Sequence, residues 1–344
     1  MIPLTLHNKS ILINCVILAK NEEKYIASCI ESVLDGIRSI PDTDIFLVDS
    51  CSSDRTVEIA KQYPINIIGL RETWMLSPAA GRYCGIRNSA GKYVLIIDGD
   101  MELRPGWLEK AIDYLEENPQ TSAVVGEILE VYEGFDGNGC PPVRGRSSRN
   151  KKGIQRIPYI YESSVFRRSA IDAVGNFHPF LRAEEEAEIS CRFAKMGFNM
   201  VYLPIESIYH HCIRRDTFRE TSRRWRHELI KGIGDMASWA LRHRCFAIFW
   251  RRFSTYILFI GMVLTSLIGF IVSLLGKHGN LVVLFASIPF LFALFMIVKK
   301  GGVSRGLLSV FNISLHSLSV LQGVFRKIPG PDTYPTDVEW IKRQ

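Results

Sequence analysis

Ser254 to Leu275 is a run of 22 residues without a charge. As a helix it would be about 33 Å long, against about 30 Å for the hydrocarbon core of a bilayer, so the run predicts a transmembrane span. A second uncharged run of 18 residues, Leu281 to Val298, follows the short link Gly276 to Asn280 and is interrupted by Pro289. The two predict a helical hairpin, because hydrocarbon admits only structures that satisfy their own backbone hydrogen bonds. Gly306 to Phe325 is also uncharged, yet it carries Asn312, His316, Gln322 and four serines. Its polarity leaves two readings open, a third span or a helix lying in the interface.

Charge sets the expected orientation. The chain has a net charge of +7, and all of the excess falls between Ile213 and Phe253, where eleven Arg/Lys face four Asp/Glu. Positive-inside counting places Arg251 and Arg252 before the hairpin, and Lys299, Lys300 and Arg305 after it, in the cytoplasm, leaving Lys277 outside. The expectation is a multi-pass protein of the cell (inner) membrane with its first 250 residues cytoplasmic. A basic stretch can also bind nucleic acid, but this one adjoins membrane helices and has few interleaved aromatics for base stacking, so no nucleic acid is expected as a partner. Eight scattered cysteines with no C-x-x-C pair point away from a disulfide scaffold and a zinc site, and suit a reducing compartment.

The apolar residues 11–19 are followed at once by Lys20-Asn-Glu-Glu23, which reads as a buried strand rather than a signal peptide. Further strand runs are Ile45 to Val48, Ile65 to Leu70, Tyr93 to Ile97 and Ser122 to Ile128. Between them lie helical patterns, Ile26 to Ile37, Arg55 to Gln62 and Pro105 to Asn118. Strand alternating with helix predicts a mostly parallel α/β sheet flanked by helices. Neither G-x-G-x-x-G nor a P-loop occurs.

Three strand ends carry candidate chemistry. Tyr93-Val-Leu-Ile-Ile-Asp98-Gly99-Asp100 ends on two carboxylates one residue apart, where an open α/β sheet binds its ligands. Such hard oxygen donors suit Mn²⁺ or Mg²⁺ bridging a diphosphate. Val16 to Glu23 ends at Asn21-Glu22-Glu23, and Phe46 to Thr56 ends in the turn Asp49-Ser-Cys-Ser-Ser-Asp54-Arg-Thr56. In this order the three motifs resemble the N-E-E, V-D-x-x-S-x-D-x-T and D-x-D of family 2 glycosyltransferases with the GT-A fold. Gly81-Arg82-Tyr83-Cys84-Gly85-Ile86-Arg87-Asn88-Ser89-Ala90-Gly91 is similar to the family's A-R-N-x-G-I-x-x-A-x-G stretch, departing from it at Tyr83. Phe166 to Phe177 resembles its F-R-R-x-x-[AL]-x-x-V-G-G-F lead into the acceptor site. Glu184-Glu-Glu-Ala-Glu-Ile-Ser-Cys-Arg192 resembles its E-D-x-D-L-x-x-R, with Glu186 where the family has its Asp.

The resemblance covers roughly residues 11 to 230. It implies a GT-A domain over 1–230, which the composition follows with a basic interfacial linker at 231–253, membrane helices at 254–325 and a tail at 326–344. It implies that Asn21, Glu22, Asp49, Arg82 and Asp98 bind a nucleotide-diphosphate sugar, that Asp100 binds the metal, and that Glu186, preceded by Glu185, takes the acceptor proton. His211, in Tyr209-His210-His211, would be a further metal ligand. The function implied is a metal-dependent, inverting, membrane-anchored transfer of sugar to a lipid-linked saccharide in cell-envelope glycan synthesis. Polyisoprenyl phosphate is the alternative acceptor, since Asp98-Gly-Asp-Met-Glu102 resembles the D-A-D-L-Q of dolichyl-phosphate-type enzymes. A non-catalytic membrane protein that binds nucleotide sugar or anionic lipid is the alternative of another class. Thr221-Ser-Arg-Arg224-Trp225 resembles the Q-x-x-R-W of processive synthases except at Thr221, and its arginines and Trp also suit an interfacial helix. Gly134 to Gly153, rich in Gly, Pro and basic residues, reads either as a lid over a diphosphate or as a plain insertion.

Overall fold

The computed structural model describes residues 12–132, 142–145, 152–161, 163–213 and 217–344. The predicted lid at 134–153 therefore lies largely outside the described residues. The chain divides into two compact units. One comprises Met1–Leu181, Glu185–Arg214 and Pro329–Gln344; the other comprises Arg182–Glu184 and Arg215–Ile328.

The first unit opens with β1 (Ile13–Ala19), buried at every position, as a continuous apolar strand in the middle of a sheet should be. It continues through α1 (Ile26–Gly36), β2 (Thr43–Asp49), α2 (Thr56–Ala60), β3 (Asn66–Gly69), α3 (Pro78–Arg87) and β4 (Tyr93–Asp98). These four strands lie in the order β3-β2-β1-β4, all parallel, so the expected parallel core is present. The order reverses between β1 and β4, and a ligand crevice opens at the carboxyl ends of such strands.

Beyond β4 the sheet is mixed. Next in the chain come β5 (Met101–Leu103), α4 (Trp107–Glu117), β6 (Thr121–Tyr132), the short β7 (Val143–Arg144) and β8 (Gln155–Arg156), β9 (Ser164–Arg167), α5 (Arg168–Val174), α6 (Glu185–Lys195) and β10 (Asn199–Cys212). Strand β9 runs antiparallel between β4 and β6, β10 pairs parallel with β6, and β5 pairs antiparallel with β10. Two apolar layers sandwich the sheet, one built around Ile17, Ile30 and Trp107, the other around Val16, Phe166 and Phe193.

Helix α3 lies close against β1 because it carries glycine where a side chain would collide. A Cβ on Gly85 would fall 2.4 Å from Val16 Cγ1 and 3.1 Å from Val48 Cγ2. The end of the following loop is fixed by Arg168, which donates to the Ile86 and Gly91 carbonyls and to Ser89 Oγ.

Residues 326–344, read from the sequence as a tail, contain a strand. Here β11 (Glu339–Lys342) pairs antiparallel with β3 and so covers that edge of the sheet. Tyr334, buried, packs edge-on against Trp74, Tyr83 and Phe180, and its hydroxyl donates to the Met75 carbonyl at 2.9 Å.

The second unit is helical: α7 (Thr217–Arg226), α8 (Leu229–Arg242), α9 (Phe246–Leu275), α10 (Gly279–Lys300) and α11 (Val303–Val324). Trp250–Leu275, Gly279–Lys300 and Val303–Val324 are each long and apolar enough to cross a membrane. Pro289 sits inside α10 without ending it. Helices α9 and α10 meet where Gly269 faces the Phe285 ring and Ser266 Oγ donates to the Phe285 carbonyl at 2.6 Å. In α8, buried Asp235 is held by Arg182 at 3.1 Å and by Arg326 at 2.9 Å.

Gly85→Ala should force Val16 or the helix to shift, an overpacking cost of about 1–3 kcal/mol. A thermal melt of the purified variant should show a lowered midpoint, and an unchanged midpoint would contradict the close approach of α3 to β1.

Candidate active site

The crevice at the ends of β1, β2 and β4 is framed by two loops that bond to each other. Asn21 N–H donates to Ser52 Oγ at 2.9 Å, and Ser53 N–H donates back to Asn21 Oδ1 at 2.8 Å. Glu22 N–H donates to Thr56 Oγ1 at 2.8 Å, and Glu23 N–H donates to Asp54 Oδ2 at 3.1 Å. Asn21 (φ 58°) and Cys51 (φ 61°) both adopt the left-handed region, which a non-glycine residue occupies only when its surroundings hold it there. The amide oxygen of Asn21 thus tethers the neighbouring loop. Asp49, buried at the end of β2, accepts from Ser52 N–H at 3.1 Å.

Arg82 projects from α3 into a nest of carboxylates. Its guanidinium reaches Glu185 at 2.7 Å, Glu186 at 2.9 Å and Asp98 at 3.7 Å. Glu185 is almost fully buried, while the Glu186 side chain is 23% exposed, so of the pair Glu186 is the one open to a reactant. Both stand in the first turn of α6, whose dipole favours negative charge. Arg192, four residues beyond Glu188, pairs with it at 2.6 Å and donates to the Val174, Gly175 and Asn176 carbonyls. The arginine that closes the acidic motif therefore ties α6 to the end of α5.

Glu22 and Asp98 titrate abnormally. Burial first, then the charges of Asp100, Asp98 and Asp54, push Glu22 up to about 8, with His210 pulling the other way. Burial pushes Asp98 up to about 6, opposed by Arg82 and reinforced by Asp100 and Glu186. Gly99 allows the two acids to crowd, since a Cβ there would lie 3.2 Å from Glu22 Cγ and from the Leu18 carbonyl oxygen.

The register of β10 against β5 sorts the two histidines. His210 Nε2 lies 3.4 Å from Asp100 Oδ2. His211 donates its backbone N–H to the Asp100 carbonyl, but its ring turns to Glu102, at 2.8 Å, and stacks on Tyr25. The His211 side chain is thus not brought to Asp100, and His210 is. Strand alternation says that adjacent histidines face opposite ways, and only the pairing partner tells which one faces the carboxylates.

Among the described residues, no group of three or more His, Cys, Asp or Glu side chains forms a ready metal cage. The crevice offers instead one carboxylate and one imidazole, Asp100 and His210, amid the further acids Glu22 and Asp98. That donor set fits a divalent cation that takes one or two protein ligands and completes its shell with phosphate oxygens and water.

The chain is similar in sequence to known glycosyltransferases. Residues 15–175 match the family described as glycosyl transferase family 2. The chain is 21% identical over 202 residues to the poly(ribitol-phosphate) beta-N-acetylglucosaminyltransferase TarS of Staphylococcus aureus, a match covering 57% of this chain and 34% of TarS. It is 28% identical over 212 residues to the glycosyltransferase EpsE of Bacillus subtilis, covering 59% of this chain and 73% of EpsE. A crystal structure of GalNAc-T7 with UDP, GalNAc and Mn²⁺ aligns with a TM-score of 0.48 at 17% identity, over 61% of this chain and 45% of that one. The chain spans about a third of the length of TarS.

Two predictions follow from the charges. Arg82→Met takes the guanidinium away from buried Glu185, a loss of about 3–5 kcal/mol. Its thermal midpoint should fall well below that of Glu186→Gln, whose side chain is partly solvated, and equal midpoints would contradict the buried pair. In metal-free protein, Glu22 holds its proton in the folded state from its ordinary value of 4.5 up to about 8, while the unfolded chain has released it. Stability from this group is therefore full below pH 4.5 and is lost as pH rises through about 8. The midpoint of wild type relative to Glu22→Gln should decline from pH 5 to about 8, and a rising difference would refute the shift.

Proposed function

We propose, from the match of residues 15–175 to glycosyl transferase family 2, that the protein transfers a sugar, with inversion, from a nucleotide-diphosphate sugar to a lipid-linked saccharide in cell-envelope glycan synthesis. The observation that carries the reading is the cluster of Arg82 with Glu185, Glu186 and Asp98 beside the Asp100 and His210 pair. It supplies, at one strand-end crevice, a base, a cation and a pair of metal-binding donors.

In this reading the donor nucleotide lies along the loops after β1 and β2, with Asp49 and Glu22 toward its base and ribose. Asp98 faces the ribose or the donor sugar. Asp100 and His210 hold Mn²⁺ or Mg²⁺, which when bound supplies positive charge to the departing diphosphate. Glu186 takes the proton of the attacking acceptor hydroxyl. Glu185, buried on Arg82, keeps the guanidinium and Glu186 in place. Inversion needs one displacement and one base, and Glu186 is the exposed carboxylate of the pair.

The lipid-linked acceptor and the inner membrane are supported by three helices apolar enough to span and by the distribution of basic residues around them. The activity in the name of TarS, sugar addition to a poly(ribitol-phosphate) chain, supports an envelope polymer as the destination. A polyisoprenyl phosphate acceptor would need no base, which separates the two acceptors by experiment.

Calorimetry with a panel of nucleoside diphosphates should find one that binds only with Mn²⁺ or Mg²⁺, and Asp100→Ala should abolish that binding. If no nucleotide binds the wild type, the transferase reading fails. Glu186→Gln should retain binding and lower turnover about 10²–10⁴-fold, the usual worth of a positioned base. Undiminished transfer in that variant would favour a phosphate acceptor.

A further inference from the structure

We infer that the membrane is crossed by α9 and α10 alone, and that α11 lies along the interface of the leaflet facing the catalytic sheet. The inference rests on the membrane-anchored reading above and goes beyond it, because α11 meets the length and apolarity expected of a span.

Connectivity supplies the first argument. The sheet is built from residues on both sides of the membrane segment: β1 to β10 precede it, and β11 follows it on the edge of β3. A chain that leaves a folded sheet and returns to it must cross a bilayer an even number of times. Three crossings would strand β11 on the far side. Only the fourteen residues 325–338 separate α11 from β11. Fully extended they reach about 46–50 Å, but threading back would draw Arg326, Lys327, Asp332 and Asp337 and an unpaired backbone through hydrocarbon. Much of the segment is otherwise engaged: Arg326 pairs with Asp235 at 2.9 Å, Asp337 pairs with Arg71 at 2.9 Å, and Pro331–Thr333 form a 3₁₀ turn that leads into anchored Tyr334.

Depth supplies the second. Asn312 stands near the middle of α11, and its Oδ1 accepts from Thr221 Oγ1 of α7 at 2.7 Å. Helix α7 carries five charges in ten residues, Arg219, Glu220, Arg223, Arg224 and Arg226. Were α11 a span, Asn312 would lie at the bilayer midplane and would hold those charges close to it, where each arginine costs about 2.5–3.5 kcal/mol. The same side of α11 continues into α8: Ser319 Oγ donates to the Ile230 carbonyl at 2.7 Å, and Gly323 packs on the Gly234 backbone.

The surface pattern is the third. Val303, Leu307, Phe311, Leu318 and Leu321 of α11 are exposed, and at 3.6 residues per turn they fall in one stripe, with exposed Val324 to one side of it. Asn312, His316 and Ser319 fall on the opposite side. An apolar stripe backed by polar side chains is the pattern of a helix lying in the plane of an interface. On α7, exposed Phe218 and Trp225 stand among the arginines, a composition suited to headgroup depth.

The test uses the full chain in spheroplasts of a bacterial expression host. Carbonate extraction comes first: release of the protein would refute the membrane-spanning reading itself. For protein that resists extraction, externally added trypsin can report topology on the unmodified chain, because Lys277 is the sole Lys or Arg between Arg252 and Lys299. The expected result is one cut, giving fragments 1–277 and 278–344, with Arg326, Lys327 and Lys342 cut only after permeabilisation. A second set of variants carries a short epitope between Lys277 and His278, between Gly301 and Gly302, or after Gln344. The first epitope should bind antibody on intact spheroplasts, the other two only after permeabilisation. External labelling after Gln344, or external cutting at Arg326, would overturn the inference, as would a Lys277 epitope labelled only after permeabilisation.

Discussion

Everything in the crevice is arranged around the buried guanidinium of Arg82. It reaches Glu185, Glu186 and Asp98 together, and these groups come from three separate elements, α3, the start of α6 and the end of β4. Taking charges out of water is unfavourable, and an ion pair offsets that cost only when its geometry and its hydrogen bonds are good. Here one arginine satisfies two neighbouring glutamates at hydrogen-bond distance. Helix α6, which carries Glu185 and Glu186, is therefore fixed to α3, which borders the strand-end crevice.

The strand-end loops show the same economy of polar groups. The loop after β1 and the loop after β2 satisfy each other through Asn21, Ser52, Ser53, Asp54 and Thr56. Residues that look in sequence like ligand contacts can thus be spent on shaping the crevice edge. A wall built of fixed donors and acceptors needs little rearrangement when a ligand arrives, which is how preorganisation favours binding.

Much of this was legible in the sequence because it depends on local pattern. Apolar runs ending at Glu22, Asp49 and Asp98 are strands whose carboxyl ends share one edge, and the parallel core β3-β2-β1-β4 is what such alternation with helices demands. The long apolar helices were legible for the same reason, since an uncharged run needs no partner to be recognised. What stayed hidden depends on pairing between distant residues. The side of β10 that His210 occupies is fixed by β5 more than a hundred residues earlier. Strand β11 is four residues long, follows a Pro-rich stretch, and is defined only by the β3 edge it covers. The mixed half of the sheet was equally silent, because β9 runs opposite to β4 for reasons of topology and not of composition.

The position of β11 also governs the order in which the protein can be assembled. During synthesis, β3 emerges long before its last neighbour, and three apolar helices are made in between. Until they have been placed, the sheet keeps an edge of unpaired N–H and C=O groups, a template for pairing with another nascent chain. Closure of that edge is thus conditional on the apolar helices having been made and the chain having returned to the sheet. A chain interrupted within its helices would keep a sticky edge, while one that has reached β11 would cover it, so the capped edge reports that the intervening helices have been made.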